Sequence, residues 1–158
     1  MEAAQRIIGL DPGLRYCGWG VIEKTGHHLR FIDCGRICPK SDGEMAARLL
    51  QLYQELVAVM NEFEPSHAAV EQIFMNKNPD STLKLGQARG VALLSAANLG
   101  IPVAEYATRT IKQAVVGTGR ADKNQVELMV KRLLPQANPK DSAAADALAT
   151  AICHAHYQ

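Results

Sequence analysis

The sequence predicts an α/β fold, in which a mixed five-stranded sheet of three antiparallel strands followed by parallel strands is flanked by helices. Three observations lead to this prediction. The first third of the chain consists of short apolar runs separated by turn residues, a pattern typical of antiparallel strands. The middle of the chain alternates such runs with apolar residues spaced three and four apart, which indicates helices. At 158 residues, 47% of them hydrophobic, the chain has the size of one domain covering residues 1–158.

The first three strands are predicted at residues 6–11, 17–23 and 29–37. Pro12-Gly13 follows the first run, and Thr25-Gly26 separates the second from the third. Such short connections favour an antiparallel meander, because parallel neighbours need a crossover of a dozen or more residues.

A period change then predicts a helix at residues 44–63, which Pro65 ends. Its apolar residues recur at helical spacing: Met45, Leu49, Leu52, Leu56, Val59 and Phe63. Two further strands, predicted at residues 68–73 and 101–106, complete the sheet, and a helix at residues 82–99 connects them. Strands that alternate with helices in this way are expected to pair in parallel.

The last third of the chain is predicted to be helical, with a short first helix at residues 108–116. The second helix, at residues 122–134, begins with an Asp and a Gln three residues apart, as in a capping box. The third is rich in alanine, is capped by Asp141 or Ser142 and reaches His156.

Composition limits the class of protein only loosely. The net charge of +1 neither demands nor excludes a polyanionic partner, so a DNA-binding surface would require Lys and Arg clustered on one face. The cysteines form no Cys-x-x-Cys pair, which argues against structural zinc, and we interpret them as buried, reduced thiols. No apolar run approaches the length of a membrane span. We therefore expect a cytoplasmic protein with no membrane partner.

Three acidic residues stand in unusual places. Asp11 and Glu71 each follow apolar residues at the ends of predicted strands, where a charge is costly unless it is paired or metal-bound. Asp146 lies in the alanine-rich helix, whose small residues allow close approach to a sheet. Considered alone, Asp11 is more simply explained as part of an Asx-turn, and Asp146 as an exposed charge on a helix. Two carboxylates about 4 Å apart would repel by about 4 kcal/mol at an effective dielectric of 20. Together the acids predict a shared site for Mg²⁺ or Mn²⁺.

Four segments resemble the RuvC family, in the family's order and across nearly the whole chain. They are Ile-Gly-Leu-Asp-Pro-Gly at 8–13, Val-Glu-Gln-Ile-Phe-Met-Asn-Lys-Asn at 70–78, Leu-Gly-Gln-Ala-Arg-Gly at 85–90 and Ala-Ala-Asp-Ala-Leu-Ala at 144–149. The Asp-Pro-Gly motif alone is weak, because sugar kinases and actin-like ATPases have similar first strands. The second and third segments in succession are a specific signal.

The resemblance implies an RNase H-like fold and a homodimeric crossover junction endodeoxyribonuclease, active in DNA recombination and repair. Such an enzyme nicks two opposed strands of a Holliday junction symmetrically and leaves 5′-phosphate ends. The resemblance also implies catalytic metal ligands at Asp11, Glu71 and Asp146, and two Mg²⁺ ions for which Mn²⁺ can substitute. A branch-migration helicase complex is the further partner that it implies.

The chain departs from the family at Ala143. The resemblance implies an Asp or His three positions before Asp146, and alanine cannot bind a metal. Asp141 is close in sequence but better placed as an N-cap. Either an Asp→Ala replacement was introduced so that substrate is bound without cleavage, which we favour, or this is a natural variant. In both cases we expect poor cleavage and good binding of junctions.

The resemblance implies that Phe74 wedges into the junction, whereas the residues alone favour a core phenylalanine. Candidate phosphate contacts are basic residues near the predicted site: Lys77, Lys84, Arg89, Lys112, Arg120 and Lys123. The resemblance supports a phosphate contact at Lys112 and Lys123. Most of the other basic residues are more simply explained as solvated surface residues. Gly86 and Gly90, four apart on one helix, would allow close approach of a partner subunit.

Three alternatives remain at this point. A YqgF-type RNase H-like nuclease would act on RNA, and a preference for structured RNA over branched DNA would identify it. A non-catalytic junction-binding module is compatible with Ala143. An actin-like ATPase domain is disfavoured, because that fold needs two such domains and further glycine-rich phosphate loops.

Overall fold

A computed structural model describes residues 2–73 and 78–158 and contains a five-stranded sheet of order β3-β2-β1-β4-β5. The strands are β1 (Gln5–Asp11), β2 (Cys17–Thr25), β3 (His28–Ile37), β4 (His67–Glu71) and β5 (Val103–Tyr106). The first three pair antiparallel, whereas β1, β4 and β5 pair in parallel. The predicted fold class is therefore confirmed.

The helices are α1 (Met45–Phe63), α2 (Pro79–Asn98), α3 (Thr108–Val116), α4 (Lys123–Leu133) and α5 (Ser142–Tyr157). The predicted capping box is present, because Asp122 Oδ1 accepts from the Gln125 amide at 2.8 Å and Gln125 Oε1 accepts from the Asp122 amide at 2.8 Å. Asp141 rather than Ser142 caps α5, and its Oδ1 accepts from the Ala144 amide at 2.9 Å.

Several boundaries differ from the prediction: β2 ends at Thr25 rather than at residue 23, and β5 begins at Val103 rather than at residue 101. The fourth strand ends at Glu71 rather than at residue 73, and α2 begins at Pro79 rather than at residue 82. The earlier helix start follows from Asn78, whose side chain accepts from the amides of Asp80 and Ser81. A proline at the first helical position after an Asn cap is a strong start signal that the prediction overlooked.

The two faces of the sheet are covered by different helices. On β1, Ile8 packs in the cluster that includes α1 and α2, whereas Ile7 packs in the cluster that includes α3, α4 and α5. This alternation assigns Gly9 and Asp11 to the face beneath α5, because side chains two apart on a strand share a face.

Glycines allow α5 to lie directly on the central strands. A Cβ built on Gly9 would stand 2.0 Å from the carbonyl oxygen of Ala147, and one on Gly18 would stand 2.0 Å from that of Ala143. Any other residue at either position would push the helix away from the sheet. The close approach brings the first two turns of α5 over the ends of β1 and β2.

Among the described residues, no helix has both the length and the apolarity that crossing a bilayer requires. Cys17 and Cys153 are buried as expected, but Cys38 is exposed, so the expectation of buried thiols is wrong for that residue.

Candidate active site

Asp11 and Glu71 end neighbouring parallel strands. Leu10 of β1 pairs with Val70 of β4, so the next residues, Asp11 and Glu71, follow side by side at the carboxyl edge of the sheet. Both lie on the α5 face, because Leu10 and Val70 belong to the core cluster on the opposite face. The register therefore brings together two acids that are far apart in sequence.

Asp146 joins them from α5, and the electrostatics show the proximity. The pKa of Asp11 is raised to about 7, chiefly by burial and in addition by the charges of Asp146 and Glu71, while the charge of Lys123 lowers it. Burial also raises the pKa of Asp146 to about 6, where Lys123 opposes and Glu71 adds to the shift. The charged forms of Asp11 and Asp146 are thus disfavoured by burial and by neighbouring carboxylates, and a cation among them would relieve this repulsion.

The side chains are held by protein partners. Lys123 Nζ lies 3.8 Å from Asp146 Oδ2, and the Thr108 hydroxyl donates to Glu71 Oε1. Within residues 2–73 and 78–158, no group of three His, Cys, Asp or Glu side chains is close enough to hold an ion as it stands. Ion binding therefore requires the carboxylates to turn towards a common point. The hard oxygen donors of the three acids, and the raised pKa values of Asp11 and Asp146, fit a divalent cation there.

A cavity of about 220 Å³ opens over these acids and carries basic residues on its wall. Glu71 and Asp146 line it together with Lys112 and Lys123, two of the predicted phosphate contacts. Lys123 is exposed at the start of α4, and Lys112 lies on α3. A phosphodiester in this cavity would meet cations on one side and carboxylates on the other.

Position 143 lies over Gly18, the strand neighbour of Asp11. Ala143 is half-buried in the first turn of α5, and its carbonyl rests on Gly18. Gly18 is the register partner of Asp11 across β1 and β2. Asp141 does not substitute for a missing acid, because its carboxylate caps α5 and lies 3.7 Å from Arg36 Nε.

The remaining predicted DNA contacts have different surroundings. Arg89 is paired with Glu105 and donates to the Glu71 carbonyl at 3.4 Å, so it braces the end of β4. Lys84 pairs with Asp80 one turn earlier on α2 at 3.1 Å. Arg120 is exposed in the loop after α3. Phe74 and Lys77 lie outside the described residues.

Sequence reasoning missed Thr108. It stands two residues beyond Tyr106, which pairs with Glu71 in the register of β4 and β5. A hydroxyl just past the end of the neighbouring parallel strand was a usable signal, because carboxyl ends of parallel strands meet at one edge. Arg89 was noticed, but its bracing contact with the β4 backbone was not.

Comparisons with known proteins agree along nearly the whole chain. The family described as crossover junction endodeoxyribonuclease RuvC matches residues 7–154. The protein of that name from Xanthobacter autotrophicus is 56% identical over 155 residues, which cover 98% of this chain and 92% of the relative. The protein of that name from Brucella ovis is 52% identical over 158 residues, which cover 100% of this chain and 91% of the relative. The structure of T. thermophilus RuvC in complex with a Holliday junction substrate superposes with a TM-score of 0.91 at 32% identity, over 97% and 94% of the two chains.

Proposed function

The chain belongs to the RuvC family of crossover junction endodeoxyribonucleases, and we propose that it binds four-way DNA junctions through the surface around Asp11, Glu71 and Asp146. Its fold is RNase H-like, as predicted. The observation that carries the proposal is a cluster of acids next to a cavity with basic walls, in which burial and the charges of Asp146 and Glu71 raise the pKa of Asp11, and burial and the charge of Glu71 raise the pKa of Asp146. The family match does not favour the RNA-directed alternative.

Nucleases of this family depend on metal ions, and we propose Mg²⁺ as the ion, with Mn²⁺ as a substitute. Asp11 on the central strand, Glu71 on β4 and Asp146 on α5 would hold the ions. Bound there, divalent ions would supply Lewis-acid stabilisation for the hydrolysis of a phosphodiester that yields a 5′-phosphate.

Side chains of the protein bind the DNA strand and orient the carboxylates. Lys112 and Lys123 bind the phosphate that enters the cavity, which also frees Asp146 from its present pairing with Lys123. The Thr108 hydroxyl orients one oxygen of Glu71 and leaves the other for a ligand. Burial of Asp11 keeps bulk water from screening the site.

Ala143 leaves this ligand set incomplete. A carboxylate at position 143 would stand next to Asp11, because Gly18 links the two positions through the sheet register. We propose that the chain binds junctions but cleaves them slowly, and that residues 1–158 act as one nuclease domain.

Symmetric nicking of two opposed strands requires two sites related by a two-fold axis. We propose a homodimer in which α2 contributes to the interface, because among residues 2–73 and 78–158 no atom outside the adjoining turns of α2 lies within 4 Å of a Cβ built on Gly86 or Gly90. Leu83 and Leu94 on the same helix are 69% and 60% exposed. A branch-migration helicase complex in the cytoplasm is the proposed setting.

Binding and nicking of three labelled substrates test this function. The substrates are a mobile four-way junction, a linear duplex of the same sequence and a structured RNA, each assayed with Mg²⁺ and with Mn²⁺. Tight binding of the junction alone, with slow symmetric nicking, is expected. Preference for the RNA would support the RNA-directed alternative, and equal affinity for junction and duplex would refute junction selectivity.

A further inference from the structure

Resting on the proposed function, we propose that Arg15, Tyr16 and Arg36 form a second contact for the backbone of the cleaved strand, on the opposite side of the carboxylates from Lys112 and Lys123. The occupant is the sugar-phosphate chain of DNA, recognised by two guanidinium groups that one tyrosine ring holds in place.

The geometry of this cluster, the Tyr16 cluster, is unusual for a protein surface. The guanidinium carbon of Arg36 lies 4.6 Å from the centre of the Tyr16 ring, and that of Arg15 lies 5.7 Å from it. Two like charges thus share one aromatic ring. The Arg36 side chain is 43% exposed, and Arg15 and Tyr16 are exposed as well, so both cations are accessible to a ligand.

Only part of this positive charge is balanced within the described residues. Arg36 Nε lies 3.7 Å from Asp141 Oδ2, a carboxylate that also accepts the capping amide of α5. Arg15 is exposed and has no ion pair among the described residues. A planar guanidinium fixed by stacking keeps its fork of N–H donors available for a phosphate, which it binds in a bidentate manner.

The sheet register connects the cluster to the carboxylates. Arg36 pairs with Gly18, and Gly18 pairs with Asp11, so the three residues form one row across β3, β2 and β1. Paired residues on adjacent strands are about 5 Å apart, which places the Arg36 backbone about 10 Å from that of Asp11. This corresponds to about three nucleotides of a stacked strand at about 3.4 Å each.

This row of residues defines a path for the DNA strand across the edge of the sheet. Lys112 and Lys123 line one cavity with Glu71 of β4 and Thr108, which follows β5, whereas Arg36 of the Tyr16 cluster lies on β3, at the other edge of the sheet. A DNA strand that crosses the ends of β5, β4, β1 and β2 in turn would meet cations before and after the carboxylates.

The surroundings limit how far this contact extends. A groove beside Arg36 is lined by Lys140 but also by Asp33 and Asp141, whose charges repel phosphates. The contact is therefore confined to the two arginines and does not continue along the groove.

Affinity for a four-way junction, measured by fluorescence anisotropy over a range of NaCl concentrations without divalent metal, tests the inference. The variants are Arg15→Gln, Arg36→Gln and Tyr16→Ala, and the matched control is Arg30→Gln. Arg30 is also an arginine of β3, with its side chain 55% exposed, but it pairs with Glu23 at the other end of the strand.

Each cluster variant should weaken binding about fivefold, and each arginine variant should reduce the slope of log K against log [salt] by about 0.9. Arg30→Gln should bind like the parent chain. The thermal midpoints of all variants are measured in parallel, because Arg36 also contacts the N-cap of α5.

Parent-like affinity and salt slope in both arginine variants would overturn the inference, as would an equal loss in Arg30→Gln. A lowered thermal midpoint with unchanged affinity would assign Arg36 a structural role only and would also overturn it. A parent chain that binds no junction would refute the proposed function itself, which distinguishes the two failures.

Discussion

The carbonyl oxygen of Ala143 lies against Gly18, 2.0 Å from where a Cβ of that residue would stand. This contact seats the first turn of α5 on β2, beside the register partner of Gly18, which is Asp11. The distance between helix and sheet thus decides whether an acid on α5 can reach an acid on β1.

Replacing Gly18 by alanine should therefore destabilise the protein. The new methyl group would meet backbone atoms that cannot rotate away, and overpacking of this kind costs about 1–3 kcal/mol or more. Urea denaturation measures the loss. The matched control is Gly43→Ala, whose added Cβ meets its nearest atoms at 3.4 Å and should change the free energy of unfolding little. Equal stability of Gly18→Ala and the parent would contradict the close packing of α5.

Asp11→Asn should stabilise the metal-free protein at neutral pH. Burial raises the pKa of Asp11 from 3.8 to about 7 in the fold. The fold therefore favours the protonated acid, and this contribution is complete below pH 3.8 and lost as the pH rises through about 7. The parent should lose at most about 4 kcal/mol over this range relative to the variant.

Denaturation of parent and Asp11→Asn at several pH values, with and without Mg²⁺, checks this prediction. The gap between the two should widen from pH 4 to pH 7, and Mg²⁺ should raise the stability of the parent more than that of the variant. A gap that is constant with pH would refute the electrostatic account of Asp11.

Thr108→Val should weaken metal binding without unfolding the protein. The variant keeps the shape of the side chain but loses the hydroxyl that donates to Glu71 Oε1. Loss of a group that orients a ligand typically costs about 10- to 100-fold in metal affinity. Calorimetric titration with Mn²⁺ measures the effect, and Thr108→Ser, which retains the hydroxyl, should bind like the parent. Equal affinity of the valine variant would mean that Thr108 does not position Glu71.

His154 should make the protein sensitive to acid. This side chain is buried, its Nδ1 lies 2.7 Å from the Tyr106 hydroxyl, and burial lowers its pKa from 6.5 to about 4. The fold therefore favours the neutral ring, and the stabilisation is present above pH 6.5 and lost as the pH falls through about 4.

The loss should reach about 3 kcal/mol between those pH values. His154→Phe should remove this pH dependence. The free energy of unfolding, measured from pH 4 to pH 7, checks this, and Asp11→Asn, which keeps His154, serves as the comparison. An unchanged acid limb in His154→Phe would exclude His154 as its source.

The fold was predictable because its signals are local. The apolar run of β1, the helical period of α1 and the capping box of α4 each lie within a few neighbouring residues. Asp11 and Glu71 were also identifiable, because charges that follow buried residues at strand ends are costly without a partner, and Asp146 was identifiable as an acid in an alanine-rich helix.

What could not be predicted depends on register and side-chain placement. The pairing of Arg89 with Glu105 joins residues from different elements, and no local pattern encodes it. The end of β4 was misplaced for a related reason. Ile73 is apolar and therefore resembled a continuing strand, but the hydrogen-bonded ladder with β5 stops at Glu71.

Single-turnover nicking of a mobile four-way junction by Ala143→Asp, compared with the parent chain, tests the central claim most directly. If position 143 completes the carboxylate site beside Asp11, the variant should nick the junction about a hundredfold faster or more in Mg²⁺, with little change in affinity. Equal rates for the two proteins, or a gain that persists without divalent metal, would contradict a metal site built from these acids.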